Sequence, residues 1–253
     1  MAEYINLTLD NIDKEHICCA ISDKKHQSGV YHKKEWLKNK FNDGHVFRKY
    51  DVRGKVFIEY EPVETAWIPI DGKNYMYIYC LWVAGSYKGK GIARELLEYA
   101  INDAKEKNMS GICVLTSKKK KPFLSDKKFY EYFGFKVVDH VGDYELLVLQ
   151  FDDKAMPRFN NHARKMKIEN QELTIYYSPE CPYTEYQVYE LSNYAKEKNI
   201  NITFIKIDSL EKAKQVPCVF NNWANFKDGQ FVSNTLLNKN SLKKIIGDEN
   251  GIY

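Results

Sequence analysis

The stretch LWVAGSYKGKGIARELLEYA, residues 81–100, decides how the first part of the chain folds. It begins as an apolar strand, continues through a loop with three glycines and ends as an amphipathic helix. Gly89 and Gly91 carry no Cβ, so backbone N–H groups can converge on one point where the helix dipole is positive. Lys88 and Lys90 add positive charge beside them. The stretch therefore predicts a turn that binds a diphosphate, with an ordinary turn as the alternative.

The pattern of elements outward from this turn predicts a mixed α/β domain. Alternation of apolar and polar residues indicates strands, and apolar residues at helical spacing indicate helices. The run 73–85 is apolar on both faces and should lie centrally in the sheet. The predicted strands are 3–9, 45–51, 54–62, 73–85, 111–117, 135–141 and 144–151, and the predicted helices are 13–22, 31–42, 92–107 and 122–133.

Two short motifs lie on either side of the predicted strand 111–117. The first is KGKGIA, residues 88–93, and the second is FYEYFGF, residues 129–135. They resemble the acetyl-CoA loop Arg/Gln-x-x-Gly-x-Gly/Ala and the aromatic-Tyr-x-x-x-Gly-Phe run of the GNAT N-acetyltransferase superfamily, with Lys88 in place of the usual Arg or Gln. The resemblance covers roughly residues 3–151 and implies the GNAT acyl-CoA N-acyltransferase fold, with acetyl-CoA as co-substrate.

The resemblance also implies how acetyl-CoA binds and reacts. The pantetheine arm would pair like an extra strand with residues 80–83, and the backbone N–H near Leu81 would polarise the thioester carbonyl. Tyr130 would be the general acid that protonates the departing CoA thiolate. The cofactor-binding residues implied in this way are Leu81, Trp82, Val83, Lys88, Gly89, Lys90, Gly91, Ile92 and Ala93.

A base or a water relay must take a proton from the acceptor amine before the amine attacks. Glu59 and Glu61 are the candidates for this catalytic role. They alternate with Ile58 and Tyr60 along a predicted strand, so both side chains should point to one face of the sheet. The alternative is a pair of solvated carboxylates.

The chain changes character between residues 154 and 170, a polar and basic segment with little periodicity. It predicts a linker across the surface between a domain at 1–153 and a second domain at 171–253. The order of elements in the second domain resembles the smaller thioredoxin/glutaredoxin-like α/β fold, and the whole arrangement resembles the bacterial YoaP-like two-domain GNAT proteins. This resemblance implies that Pro217 is cis and lies beside Cys181.

Cys181 stands at the start of the first predicted helix of the second domain, in the sequence Cys-Pro-Tyr-Thr. A helix N-terminus lowers the pKa of a thiol, so Cys181 is predicted to be nucleophilic. Thr184 stands where a dithiol site would have its second cysteine. If the fold resembles thioredoxin, Cys218 lies close enough for a Cys181–Cys218 redox pair. A domain that only binds the acceptor is the alternative.

Composition excludes several classes of protein. The chain has 38 basic and 34 acidic side chains, and the excess of basic residues is confined to 154–170, so a nucleic-acid partner is not predicted. The first sixteen residues contain four acidic side chains and no apolar region of a signal peptide, and no apolar run is long enough for a membrane span. Six cysteines in 253 residues do not suggest a disulfide framework, and no paired spacing predicts a metal site. A cytoplasmic location follows as the expectation.

These observations together predict an acetyl-CoA-dependent N-acetyltransferase. The acceptor would be a primary amine of a small molecule or a peptide, attacking directly in a ternary complex. Two alternatives are a thiol-redox protein that uses Cys181 and has a regulatory CoA-binding domain, and a CoA-binding module without catalysis.

Overall fold

The structure is a computed structural model that describes residues 3–247. The elements of the first domain are β1 (Tyr4–Asn6), α1 (Gln27–Phe41), β2 (Val46–Tyr50), β3 (Val56–Pro62), β4 (Ile70–Asp71), β5 (Tyr75–Val83), α2 (Ile92–Glu106), β6 (Gly111–Ser117), α3 (Lys127–Tyr132), β7 (Lys136–Val141) and β8 (Tyr144–Gln150). Seven strands form one sheet in the order β1-β2-β3-β5-β6-β8-β7. β5 and β6 run parallel, and the other neighbours run antiparallel. The predicted α/β class is confirmed, and β5 is the central strand.

A helix covers each face of this sheet. Leu96 and Leu97 are fully buried between α2 and one face, because the apolar residues of α2 repeat at helical spacing. Trp36 and Leu37 bury α1 against the other face. The apolar residues of β5 face both layers in turn, so the central strand is buried from both sides over its first half.

The two central strands separate at one end. β5 pairs with β6 as far as Ile78 and Val114. Beyond that point both strands continue, but they no longer pair with each other. Against β3, the register shifts so that Tyr79 is an extra residue on β5, which is a β-bulge. The sheet therefore opens between β5 and β6 just before the glycine-rich loop.

The prediction of a helix at residues 13–22 was wrong. These residues form turns and bends instead. Cys18 and Ala20 have positive φ values of 62° and 54°, which a right-handed helix excludes. Cys18 is buried in the core of the first domain, and the Ala20 N–H donates a hydrogen bond of 3.1 Å to the Tyr183 hydroxyl of the second domain, so tertiary contacts override the helical preference of the segment.

The other predicted helices of the first domain are confirmed, but their ends differ from the predicted ends. α1 begins before its predicted start, and α3 is a shorter helix that begins after its predicted start. The carboxylate of Asp126 accepts a hydrogen bond of 2.9 Å from the Lys128 N–H and so caps α3. The residues that precede Asp126 are an irregular loop over the end of β6.

The elements after β8 are β9 (Arg158–Phe159), β10 (Leu173–Tyr177), α4 (Thr184–Lys198), β11 (Ile202–Lys206), α5 (Leu210–Gln215), β12 (Trp223–Lys227), β13 (Gln230–Ser233) and α6 (Lys239–Ile246). The second domain is built on a four-stranded sheet with the order β11-β10-β12-β13. β10 and β11 are parallel, and the other pairs are antiparallel.

The segment 154–170 does not simply cross the surface. Its two-residue strand β9 pairs with β4, where Phe159 lies opposite Ile70. Phe159 and Ala163 are buried in the core of the first domain. The few apolar side chains of this polar segment thus attach it to the first domain before the second domain begins.

The prediction of a cis peptide bond at Pro217 was wrong, because residues 3–247 contain no cis peptide bond. Residues 216–222 lie outside the strands, and β12 begins at Trp223. Val219 joins the core of the first domain, while Phe220 packs in the second. The trans isomer is the favoured one even before proline.

The two domains pack directly against each other. A Cβ built on Gly29 of α1 would lie 1.9 Å from the carbonyl oxygen of Pro182, so only glycine allows this approach. The ammonium group of Lys214 donates hydrogen bonds of 2.8 and 2.9 Å to the carbonyl oxygens of Val63 and Ile70. Side chains of the second domain therefore bond directly to the backbone of the first.

No helix within residues 3–247 combines the length and the apolar character that crossing a bilayer requires.

Candidate active site

The glycine-rich loop forms one wall of an open cavity of about 590 Å³. Gly89 and Gly91 have φ values of 74° and 82°, and Gly91 is the residue before the first turn of α2. A Cβ built on either glycine would meet no atom within 4 Å, so the loop backbone faces open space. The converging N–H groups and the helix N-terminus fit the diphosphate of CoA.

Most of the predicted cofactor residues border this cavity, which we call the cofactor cavity. Trp82 points to the opposite face of the sheet, where the Lys55 ammonium lies 4.7 Å from its ring. The Lys90 ammonium lies 5.9 Å from the ring of Tyr87, at the rim of the loop. The predicted residues that line the cavity are Leu81, Val83, Lys88, Gly89, Gly91, Ile92 and Ala93.

The backbone of β5 presents polar groups to the opening in the sheet. Ala84 donates its N–H to the carbonyl of Lys55 on the β3 side, at 3.0 Å. Because backbone groups alternate along a strand, the N–H groups of Leu81 and Val83 point to the other side, from which β6 has separated. An extended ligand chain can pair there as an added strand.

Tyr130 of α3 lies across the cofactor cavity from β5. Its ring is 1% exposed and packs between Phe129 and Phe135, while its hydroxyl lies 3.5 Å from the Ser125 hydroxyl. Burial raises the pKa of Tyr130, and the nearby thiol of Cys80 adds to this effect. The phenol therefore stays protonated at neutral pH and holds a proton that it can donate at the cavity wall.

Arg94, in the first turn of α2, also borders the cofactor cavity, although the sequence reasoning did not single it out. Its guanidinium donates a hydrogen bond of 2.9 Å to the Tyr132 hydroxyl. Its place directly after the glycine-rich loop is the signal that could have identified it, because a cation there faces any bound phosphate.

Glu59 and Glu61 are fully buried, so the alternative of solvated carboxylates was wrong. Glu59 accepts hydrogen bonds of 2.7 Å at both oxygens from the Lys33 ammonium. Glu61 lies 3.1 Å from the Lys40 ammonium, and His45 lies 3.3 Å from Glu61 and 3.7 Å from Glu59. As predicted, the two carboxylates share one face of the sheet, which is the face covered by α1.

A third carboxylate reaches this cluster from the second domain. Glu180, which precedes Cys181, is 5% exposed, and its Oε1 lies 3.5 Å from the Lys33 Nζ. We call the whole group the buried ion cluster; its members are Lys33, Lys40, His45, Glu59, Glu61 and Glu180. The sequence reasoning missed Lys33, Lys40, His45 and Glu180.

One sequence signal could have revealed part of the buried ion cluster. Lys33 and Lys40 are spaced so that they share the helix face of Trp36 and Leu37, which is the face that α1 buries. A lysine on a buried helix face needs a carboxylate partner. No comparable signal marks Glu180, since its position depends on how the domains pack.

The two carboxylates that share Lys33 have pKa values shifted in opposite directions. Burial alone would raise the pKa of Glu59, but the Lys33 ammonium and the His45 ring outweigh burial and lower it. Burial raises the pKa of Glu180, and its single, longer contact with Lys33 does not compensate. Such a pair, in which one carboxylate is a weak base and the other a stronger one, is typical of acid–base sites.

The prediction of a reactive Cys181 was wrong. Burial and the adjacent Glu180 raise the pKa of its thiol to about 12, against an opposing hydrogen bond from the backbone of Tyr183. Cys181 and Cys218 are both free thiols. The Thr184 hydroxyl lies 2.8 Å from the carbonyl oxygens of Ser178 and Cys181, so the residue in the second cysteine position caps the turn.

Within residues 3–247, no group of three or more His, Cys, Asp or Glu side chains is arranged to hold a metal ion.

The chain matches two family models, the Acetyltransferase (GNAT) family over residues 10–135 and YoaP-like over residues 201–244. It is similar to the protein called "Uncharacterized N-acetyltransferase YoaP" of Bacillus subtilis (strain 168). The two are 39% identical over 245 residues, which cover 96% of this chain and 98% of that protein.

Solved structures show weaker similarity. The PaiA N-acetyltransferase of Thermoplasma acidophilum, in complex with coenzyme A, is 18% identical and covers 60% of this chain and 99% of its own, with a TM-score of 0.42. A GNAT family acetyltransferase of Brucella melitensis, in complex with acetyl-CoA, is 14% identical and covers 63% of this chain and 94% of its own, with a TM-score of 0.40.

The relative from Bacillus and the two family matches agree with the glycine-rich loop and the cavity beside it. The chain therefore belongs to the GNAT acetyltransferase family, carries a YoaP-like domain at its C-terminus, and is an acetyltransferase that uses acetyl-CoA as co-substrate.

Proposed function

We propose that the enzyme moves the acetyl group of acetyl-CoA to a primary amine by direct attack in a ternary complex. The observation that carries this proposal is the opening in the central sheet. Leu81 and Tyr130 border the cofactor cavity on one side of β5, and Cys80 lies beside Glu59 of the buried ion cluster on the other. Two substrates approaching from the two faces would meet at β5.

Direct attack is favoured over an acetylated cysteine. Cys80 is the thiol that pairs with Glu59 across the strands. Burial raises its pKa well above the ordinary range, and the neighbouring groups Cys19, Glu59 and Glu180 add to the effect. A protonated thiol is a poor nucleophile, so the amine itself is the better attacking group.

The chain's own groups would supply the remaining chemistry. We assign to the Leu81 N–H the stabilisation of negative charge on the thioester oxygen, since a preorganised donor is most effective where charge develops. Tyr130 would give its proton to the departing sulfur. Glu59 and Glu61 stay the candidates for the base that the sequence predicts, but the ammonium groups of Lys33 and Lys40 already neutralise their charges.

Calorimetric titration with acetyl-CoA tests the first part of this proposal, and release of CoA thiol in the presence of amines tests the second. The amines should range from n-butylamine and tryptamine to spermidine and a lysine-containing peptide. We expect saturable binding of acetyl-CoA and transfer to at least one of them. Saturable binding without transfer to any would instead support a CoA-binding module.

Replacing Tyr130 by Phe tests the general acid. We expect Tyr130→Phe to lower kcat by about 100-fold or more, since general acids contribute factors of that size. The Kd of acetyl-CoA should change little, because the ring remains. An unchanged kcat, with chemistry rate-limiting, would remove Tyr130 from this role.

The matched control for this substitution is Tyr60→Phe. Tyr60 is another fully buried tyrosine, and its hydroxyl donates a hydrogen bond of 2.8 Å to Asp103 on the α2 side of the sheet. Tyr60→Phe should lower stability by about 1 kcal/mol and leave kcat unchanged.

A further inference from the structure

We propose that Glu180, supplied by the second domain, binds the ammonium group of the acetyl acceptor and takes its proton. This inference rests on the proposed transfer to a primary amine. It makes the second domain part of the catalytic site, because without that domain the carboxylate that activates the acceptor is missing.

The first argument is the unused hydrogen-bonding capacity of Glu180. Its Oε1 lies 3.5 Å from the Lys33 Nζ, whereas both oxygens of Glu59 accept bonds of 2.7 Å from the same ammonium. Its Oε2 is buried and accepts no hydrogen bond from any residue in 3–247. A buried carboxylate oxygen without a donor is costly, so a site for an additional donor is implied. An ammonium group is the donor that suits it best.

The second argument is the position of Glu180 relative to the general acid. The phenol of Tyr77 on β5 lies within electrostatic reach of both Glu180 and Tyr130, each of which adds to the effect of burial on its pKa. The thiol of Cys80 likewise lies within electrostatic reach of both Glu180 and Tyr130. Cys80 follows Ile78, the last residue of β5 that pairs with β6, so it lies where the sheet opens toward the cofactor cavity.

The third argument is the distribution of charge around Glu180. The cluster gives Glu59 the stronger contact with Lys33 and leaves Glu180 with the higher proton affinity. A base with a raised pKa accepts a proton near neutral pH more readily than a carboxylate neutralised by an ion pair. The titratable groups that surround Glu180 are Lys33 from α1, His45 before β2, Glu59 from β3, Tyr77, Tyr79 and Cys80 from β5, and its neighbour Cys181.

The protons and electron pairs balance in this scheme. The ammonium group gives one proton to Glu180, and the nitrogen lone pair then forms the C–N bond as the C–S bond of the thioester breaks. Tyr130 gives its proton to the sulfur, and the second proton of the attacking amine returns to the tyrosine oxygen. The products are the acetylated amine and CoA thiol, and the proton on Glu180 leaves to solvent.

The test compares the full chain with Glu180→Gln and Glu185→Gln, using the amine that the wild-type enzyme acetylates best. Glu185 is the matched control, because it also lies on the second domain and faces α1, 3.6 Å from His32, with a salt bridge of 2.7 Å to Lys206. We expect Glu180→Gln to lower kcat/KM for the amine by about 100-fold or more, as for loss of a general base. The Kd of acetyl-CoA should stay unchanged, and Glu185→Gln should behave like wild type.

The pH profile separates this role from a structural one. A protonated Glu180 cannot accept a proton, so kcat/KM should fall as the pH drops through its pKa, which lies above the ordinary glutamate value of 4.5. An amine with a pKa of about 10 stays an ammonium ion over this pH range, so the fall in kcat/KM would reflect a group of the enzyme. This fall at low pH should be absent in Glu180→Gln.

The variant Glu180→Asp keeps the test usable if the glutamine variant does not fold. It retains the charge beside Lys33 but shortens the reach, so kcat/KM for the amine should fall by about tenfold at unchanged Kd for acetyl-CoA. Wild-type kcat/KM in a folded Glu180 variant would overturn the role of Glu180 alone. Absence of transfer by the wild-type enzyme to every amine, with acetyl-CoA bound, would overturn the proposed function itself.

Discussion

The cofactor cavity and the buried ion cluster are built in different ways, although they lie on two sides of the same strand. The cofactor cavity depends on backbone groups of a short continuous stretch, the glycine-rich loop and the start of α2. The buried ion cluster depends on side chains from α1, β3, the segment before β2 and the second domain, with Lys33 and Glu180 separated by most of the chain.

This difference explains what each region can recognise. A loop of backbone N–H groups binds a phosphate-bearing ligand whatever the side chains around it are, so it suits a shared co-substrate. A cluster of buried charges depends on every partner, because one missing partner leaves another charge unpaired. Acceptor choice is therefore expected to follow the packing of the two domains, whereas cofactor choice follows the loop.

The largest effect is expected from blocking the loop. Gly91→Trp places a large side chain in the cofactor cavity at a residue with φ of 82°, where a Cβ also costs about 1–2 kcal/mol. We expect the affinity for acetyl-CoA to fall by about 100-fold or more, measured by calorimetry. The buried ion cluster should keep its structure, since none of its side chains contacts the loop in the described part of the chain.

The control for this substitution is Gly247→Trp. Gly247 ends α6 with φ of 75° and, like Gly91, has no atom within 4 Å of a built Cβ. Gly247→Trp imposes the same backbone strain far from the cofactor cavity, so acetyl-CoA should bind to this variant as it binds to the wild type. Normal binding by Gly91→Trp would mean that CoA does not occupy the turn.

A smaller and more selective effect is expected from separating the domains. Gly29→Ala forces the turn at Pro182 away from α1, because the built Cβ lies 1.9 Å from its carbonyl oxygen. Glu180 follows that turn, so kcat/KM for the amine should fall by about tenfold through misplacement of its carboxylate. The Kd of acetyl-CoA should not change, and calorimetry beside steady-state kinetics would measure both.

Ser28→Ala is the control, since Ser28 is exposed on the same turn of α1. It adds no contact with the second domain and should leave both constants unchanged. Unimpaired amine transfer by Gly29→Ala would show that the packing of the second domain does not set the acceptor site.

The smallest effect is expected at the thiol of Cys181. With a pKa of about 12, only about one thiol in 10,000 is ionised at pH 8, so Cys181→Ser should leave acetyl transfer within about twofold. Alkylation by iodoacetamide should also be slower in the native protein than in urea, which peptide mass spectrometry can measure. Reduction of a mixed disulfide that depends on Cys181 would contradict this prediction and favour the redox alternative.

Local patterns predicted the parts of the structure that depend on local chemistry. The alternation in β3, the continuous apolar run of β5, the apolar face of α2 and the glycines at 89 and 91 each gave the correct element, because the cause lies within a few residues. The failures share the opposite cause. Cys18 and Ala20 adopt positive φ values because of contacts with distant residues, and Pro217 lies in a segment that connects two cores.

The sequence by itself determined the α/β class and the glycine-rich turn before α2, since backbone freedom at glycine and helical spacing are properties of neighbouring residues. The tertiary structure alone decided that Glu59 and Glu61 are buried, that Cys181 is protonated and that Glu180 shares Lys33 with Glu59. Burial and charge pairing depend on which surfaces meet, and the docking of the second domain on α1 joins residues that no local pattern connects.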